Sequence, residues 1–533
     1  MRSIFEKIHL RFYIFLSGVL IGLSVLFAEV GFIAYFALIP LAYAIFKRVG
    51  DGEYKTKQAY IDGFVFFMSF DLMAFHWFVY FYPLDFAGLG KLESLIVIAL
   101  AWVGLSMLQS VFSALTFIVI AKLVKTSLYK KWPVLLVPVV ASLFAVNEWT
   151  QTFTWAGVPW ARMALSQTKM PILMQSASLF GPYFLTFIIV AFNFLLAYAI
   201  FVADKKRTVA LAALAIMLIH TLLGTALYFI PRVDCEREIK VASVQGNRQS
   251  GTLEGAIPIY EAFAELTKNA SADGAQLVVW PEGAFPLDIH SLIFLSGRGY
   301  LKISQVISEL AQDLDVTIVL GSFVDGEGET SSAVSVFYPD GNQIINAYAK
   351  RKPVPFGEFL PMADVVYAIA PVLAHINIFS DLSAGEKSTV FDATIGENPI
   401  KVGTLICFDS IYEQLGIDTA SVGAEMFIIP SNDSWFYDSR ALYMHHSQNI
   451  LRAVEQGKYT VNCGNTGITS IVSDKGEVIN EMKIYTAGYV IDSVYASSGR
   501  TLYSYIGNLF VYICIAGVFA VFVINLASKR RKN

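Results

Sequence analysis

Residues 400–410 read IKVGTLICFDS. The run up to Ile406 is short, apolar and partly β-branched, as a strand buried on both faces is. It stops at Cys407, where a cysteine can collect backbone N–H groups and a lowered pKa. On position alone, such a cysteine is more commonly inert packing. Its surroundings argue for more. Similar apolar runs lie at 239–245, 276–280, 316–322 and 424–430, and helical periodicity lies at 258–270, 299–313 and 440–456. That alternation predicts an α/β domain over residues 232–500 with largely buried sheets. PDGNQ at 339–343 predicts a hairpin within it.

Two further stretches stand at predicted strand ends, where α/β sites commonly form. WPEGAFP places Glu282 after strand 276–280, and the preceding Pro281 stiffens it. YAKRKPVPFGEFLP carries Lys350 and Glu358 in a loop stiffened by prolines and a glycine. Each has a bland alternative: a solvated turn acid, or a basic surface loop. Together the three meet the needs of a thiolate nucleophile. Glu282 supplies a base, Lys350 an oxyanion donor and Cys407 the sulfur.

Outside this domain the composition changes. The chain has 533 residues, 55% of them apolar and only 15% charged. Soluble domains hold roughly 25% charged residues, so the deficit points to lipid contact. Apolar runs long enough to cross a bilayer are expected near 12–28, 31–46, 60–82, 93–121, 133–148, 172–202, 209–230 and 504–527. This predicts eight spans: a membrane domain at 1–231, then the α/β domain, then an eighth span with a basic tail at 501–533. Bases mark every second loop: Arg2, Lys7 and Arg11; Lys47, Arg48, Lys55 and Lys57; Lys122, Lys125, Lys130 and Lys131; Lys205, Lys206 and Arg207; Lys529, Arg530, Arg531 and Lys532. Such loops stay cytoplasmic, so both termini are expected inside and residues 232–500 outside.

The net charge of −4 gives no sign of a nucleic-acid binder. Cys235, Cys407, Cys463 and Cys514 form no CxxC pair and no zinc spacing, so neither a metal nor a disulfide framework is expected. Asp71 and His76 are the main ionisable residues inside a predicted span, too few to favour a transport path. Trp149, Trp155 and Trp160 suit interfacial anchoring. The apolar stretches SLIFLSG at 291–297 and VVYAIAPVLAHINIF at 365–379 suit either lipid contact or ordinary core helices.

The three site motifs, in this order, resemble the nitrilase superfamily, whose triad is Glu, Lys and Cys. The whole arrangement resembles its apolipoprotein N-acyltransferase family. VASVQGN at 241–247, NEWTQTFTWAGVPWARMALSQ at 147–167, SNDSWF at 431–436 and NTGIT at 465–469 are similar to further motifs of that family. The resemblance implies a nitrilase-like αββα sandwich on a polytopic helical membrane domain, in a bacterial inner membrane. It implies transfer of a fatty acyl group from a phospholipid, through a cysteine thioester, to the N-terminal amine of a diacylglyceryl-cysteine lipoprotein. Glu282 would be the general base, Lys350 the oxyanion donor and Cys407 the nucleophile. Glu358 would orient the site, and Phe408 would add its backbone N–H to the oxyanion. Asp409 stands where the family usually has glutamate. Trp435 and Phe436 would line the mouth. No cofactor is implied, and a monomer is expected. A membrane-anchored amidase using water, or a non-catalytic binding or transport protein, are the rival readings.

Overall fold

The computed structural model describes residues 9–52, 54–84, 88–248, 255–326, 328–369, 381–497 and 499–530. The chain forms two compact units. One holds Met1–Pro83, Lys91–Ile230 and Ile506–Asn533; the other holds Leu84–Gly90 and Pro231–Tyr505.

The first unit is helical. Among the described residues, six helices are long and apolar enough to cross a membrane: Ala28–Gly50, Lys91–Leu123, Pro133–Thr150, Pro182–Phe201, Lys206–Phe229 and Leu509–Ser528. Two of the eight expected spans fall outside that measure of length and composition. The first expected span is the helix Leu10–Leu26, only 17 residues long, against the ~20 a bilayer asks for. The third is Thr56–Ala74, 19 residues that include Lys57, Asp62 and Asp71. It ends well before residue 82 and gives way to a 3-10 helix at His76–Phe81, an aromatic run of lower helix propensity. The run at 172–202 is also broken. Gly181 takes φ 79° and Pro182 opens a new helix, Pro182–Phe201.

Three buried acids inside this unit are partnered. Asp71 is buried and accepts a hydrogen bond from Ser110 Oγ at 2.8 Å. Asp62 meets the Arg48 guanidinium at 2.7 Å. Glu148 accepts from Met163 N–H at 2.9 Å and from Thr186 Oγ1 at 2.7 Å, which ties the 147–167 segment to the helices. Trp160 is therefore not an interfacial anchor. It is buried, 5.4 Å from the Trp77 ring.

The second unit is a sandwich of two six-stranded sheets. Its strands are β1 (Val233–Gln245), β2 (Leu277–Trp280), β3 (Leu292–Leu295), β4 (Gly299–Lys302), β5 (Thr317–Gly326), β6 (Glu329–Phe337), β7 (Gln343–Ala349), β8 (Val390–Asp392), β9 (Lys401–Thr404), β10 (Met426–Ser431), β11 (Thr460–Gly464), β12 (Ser470–Val472), β13 (Val478–Glu481) and β14 (Gly488–Ser497). One sheet runs β14-β1-β2-β5-β6-β7 and the other β13-β12-β11-β10-β9-β8. Each has a parallel centre, β1-β2-β5 in the first and β9-β10-β11 in the second, with antiparallel edges.

Strand alternation builds the layers. Leu277 and Val279 point between the sheets, where Val241, Val319, Val402, Ile428 and Val461 meet them. Val278 and Trp280 point the other way, against helices Ala256–Ala272 and Ile303–Leu314. Helices Glu413–Ser421 and Arg440–Gln456 pack on the second sheet. The layers therefore run helix, sheet, sheet, helix. The hairpin expected at 339–343 joins β6 to β7, with Phe337 opposite Gln343.

The helix expected at 299–313 starts later, at Ile303. Residues 299–302 instead pair with β3 as a small hairpin. Ile293 points inward while Leu292, Phe294 and Tyr300 stay exposed. Strand alternation overrides the helical period there. The apolar stretch at 365–379 lies partly in helix Ala363–Ile369, and residues 370–379 fall outside the described residues, as do Arg2, Lys7, Arg531 and Lys532.

Trp280 anchors the helix-facing core. Its ring stacks on Phe263 at 4.8 Å and its Nε1–H donates to Thr267 Oγ1 at 3.0 Å. Trp280→Ala is expected to cost about 3–5 kcal/mol, measured by chemical denaturation of the purified protein in detergent. A shift under ~1 kcal/mol would show that this core closes without the indole.

Candidate active site

Three strand ends of the second unit bring their side chains together. Glu282 follows β2 and is 6% exposed. The close approach of β5 holds it there. A Cβ added to Gly321 would lie 2.5 Å from the Glu282 Cα, so only glycine fits. Lys350 follows β7. Its N–H donates to the Ser332 carbonyl at 2.8 Å and its own carbonyl accepts from Gly385 N–H at 2.7 Å. The backbone is thus fixed on both sides of the side chain.

The Lys350 ammonium is 1% exposed. It donates to Glu282 Oε1 at 2.8 Å and to Glu358 Oε1 at 2.6 Å. Glu282 Oε1 also accepts from Ser332 Oγ at 3.2 Å, and its Oε2 from Asn432 N–H at 3.1 Å. Glu358 Oε2 accepts from Val354 N–H at 2.8 Å, inside the proline-rich loop. Burial alone would lower the lysine's pKa, but the charges of Glu282, Glu358 and Cys407 hold it well above the usual lysine range. Burial raises the Glu358 carboxyl, and the Glu282 charge adds to that against the pull of Lys350.

Cys407 opens the short 3-10 helix Cys407–Ile411 at φ 48°. A non-glycine residue in that region stores strain of about 1–3 kcal/mol, a feature that clusters at functional sites. The residue as a whole is partly exposed, while its sulfur is enclosed. Its pKa is raised, not lowered as the strand-end position suggested. Burial is the main cause, and the charges of Glu282, Asp433 and Glu358 outweigh the help of Lys350. The surroundings of the sulfur thus favour the protonated thiol.

Asp409 sits two residues on, fully buried, and binds the lysine and cysteine segments to each other. It accepts from Ile406 N–H at 3.2 Å on one side, and from Arg351 N–H at 3.1 Å and Lys352 N–H at 2.7 Å on the other. Tyr348 Oη, on β7, adds a fourth donor at 2.7 Å. Burial raises its pKa in spite of these donors. The Phe408 ring is buried and meets Tyr412 edge-on at 5.6 Å. Trp435 and Phe436 lie in the 3-10 helix Asp433–Phe436, directly after Asn432, and Trp435 is 48% exposed.

Sequence reasoning missed Ser332, Asn432, Asp433 and His445. His445 Nδ1 lies 2.9 Å from Asp433 Oδ1, and its Nε2 lies 3.1 Å from both the Cys407 carbonyl and Ser410 Oγ. Ligand atoms of Cys407, Asp433 and His445 all fall within 4.8 Å of one another. Both ring nitrogens are already engaged, so the trio offers no free nitrogen to a metal ion. One signal was available. Asp433 lies in SNDSWF and His445 on the helix 440–456, but nothing in their spacing places them behind residue 407.

Residues 240–501, which form the two stacked sheets and carry Glu282, Lys350 and Cys407, match the family model Carbon-nitrogen hydrolase. Residues 17–195 match the model of the Apolipoprotein N-acyltransferase N-terminal domain. Full-length relatives agree. The Apolipoprotein N-acyltransferase of Geobacter metallireducens is 29% identical over 99% of this chain and 97% of its own. That of Thermotoga maritima is 26% identical over 97% and 94%, and that of Synechocystis 25% over 91% and 94%. The chain belongs to the apolipoprotein N-acyltransferase family.

Asp409→Asn would put an amide NH₂ against backbone N–H donors. A stability loss of about 1–3 kcal/mol is expected in chemical denaturation. An unchanged midpoint would mean that these hydrogen bonds do not hold the two segments together.

Proposed function

We propose that this protein N-acylates lipoproteins, taking a fatty acyl group from a phospholipid and passing it through a thioester on Cys407 to the α-amine of a diacylglyceryl-cysteine. The observation that carries the reading is the buried Lys350 ammonium held between Glu282 and Glu358, in the same site as a cysteine at φ 48°. The family's full-length relatives, named for lipoprotein N-acylation, support the substrate class.

The chemistry runs in two halves. Glu282 takes the Cys407 proton as sulfur attacks the ester carbonyl. Lys350, with the Phe408 backbone N–H, receives the developing oxyanion. The carbon–oxygen ester bond breaks, the proton passes to the departing lysophospholipid, and the acyl chain stays on sulfur. The lipoprotein amine then attacks the thioester carbonyl. Glu282 accepts a proton from that amine, and the thiol is restored as the carbon–sulfur bond breaks. Glu358 holds Lys350 in place, and Asp409 holds the lysine and cysteine segments in register. Trp435 and Phe436 sit beside the substrates' entrance. This is ping-pong catalysis.

A membrane setting fits the substrates, since each exposed acyl CH₂ costs about 0.8 kcal/mol in water. We read Leu10–Leu26 and Thr56–Ala74 as two more spans, which gives eight, divided as 1–231, 232–500 and 501–533. The alternating basic loops then put both termini in the cytoplasm and the catalytic unit on the outer side of a bacterial inner membrane. A monomer, without cofactor, suffices for this scheme.

Incubation of the wild-type protein with phospholipid is expected to add one acyl mass to the Cys407 peptide, read by mass spectrometry, with release of lysophospholipid. Lys350→Met should slow that acylation by about a hundredfold to a thousandfold, the usual cost of one oxyanion donor. Transfer at an undiminished rate by Cys407→Ser would rule the thioester out. Water, rather than amine, as the faster acceptor would favour a membrane-anchored amidase.

A further inference from the structure

The nucleophile's backbone carbonyl, not only its sulfur, is held by a charged group. Cys407 C=O lies 3.1 Å from His445 Nε2 and can only accept, so the two are hydrogen-bonded when Nε2 carries a proton. Asp433 faces the other ring nitrogen at 2.9 Å with a carboxylate oxygen, so Nδ1 donates as well. Protonated on both nitrogens, as an imidazolium, the ring serves both acceptors at once, and the two contacts favour that form. Ser410 Oγ shares the Nε2 side at 3.1 Å. His445 is 2% exposed and Asp433 5%, so water does not weaken the pair.

The peptide between residues 407 and 408 joins this carbonyl to the Phe408 N–H. A cation bound at the carbonyl oxygen draws electron density from that amide and makes its N–H a stronger donor, as hydrogen-bond chains polarise one another. It also holds the left-handed turn at Cys407, which a non-glycine residue adopts only under constraint. Asp433 is placed for this by a close approach. A Cβ added to Gly467, in NTGIT, would lie 2.8 Å from the Asp433 carboxylate. The preceding residue, Asn432, gives its N–H to Glu282. One short segment thus reaches the base directly and the nucleophile through His445.

We infer that His445, paired with Asp433, is a positioning residue for acyl transfer: it polarises the Cys407–Phe408 peptide, so that the Phe408 N–H stabilises the oxyanion. This rests on the acyl-transfer reading above. The charged groups facing the ring are Asp433, with Glu282 further off; burial opposes the charged ring, and these carboxylates raise its pKa above the ordinary imidazole value. The contribution is therefore present below that raised pKa and fades as pH rises through it.

The experiment is single-turnover acylation of Cys407 by phospholipid vesicles, followed by intact-protein mass spectrometry across pH. His445→Ala should slow acylation by about tenfold to a hundredfold, the worth of one charge-assisted hydrogen bond, at an unchanged half-saturating lipid concentration. His445→Gln carries an amide NH₂ at the Nε2 position. It should recover most of the rate and lose the alkaline decline that the wild type owes to His445. If His445→Ala fails to fold, Asp433→Asn serves in its place. It should slow acylation and move the alkaline decline to lower pH. Variants that acylate as fast as wild type, with the same pH profile, would overturn this inference alone. A wild-type protein that takes up no acyl chain would overturn the acyl-transfer reading and this inference with it.

Discussion

One buried ammonium organises the catalytic unit. Placing the Lys350 charge inside protein costs several kcal/mol unless opposite charge and hydrogen bonds surround it. Glu282 and Glu358 supply both, from different segments, at 2.8 and 2.6 Å. Neither carboxylate can move away without leaving the ammonium uncompensated. Each is tied further, Glu282 by Ser332 and Asn432, Glu358 by Val354. The loop 348–361 is therefore shaped around its own lysine.

The same constraint sets the resting state of the sulfur. Lys350 is committed to two carboxylates, so its pull on Cys407 is outweighed by burial and by the negative groups nearby. The sulfur thus shares its site with a fixed carboxylate, Glu282, whose charge disfavours the thiolate. Asp409 extends the scheme by joining the lysine-bearing and cysteine-bearing segments through four donors.

Much of this was legible in the sequence, and for identifiable reasons. Buried strands 239–245, 276–280 and 424–430 announced themselves because a strand covered on both faces must be apolar throughout. Glu282, Lys350, Glu358 and Cys407 stood out because charged and nucleophilic residues at strand ends are chemically conspicuous. The miss at 299–302 has an equally plain cause. Its apolar spacing fits a helix, and only pairing with β3 selects the strand. The broken span at 172–202 turned on a backbone choice at Gly181 that hydropathy does not register.

By itself, the sequence determined which stretches are apolar, where strands end in reactive side chains and how basic residues alternate between runs, because these are properties of local composition and order. Only the tertiary structure decided that Asp433 and His445 stand behind the Cys407 carbonyl, that Asp409 bridges to Arg351 and Lys352, and that the surroundings of the thiol raise its pKa. Those outcomes depend on desolvation and on contacts between residues far apart in the chain. Neither exists until the sheets have stacked and water has left the space between them.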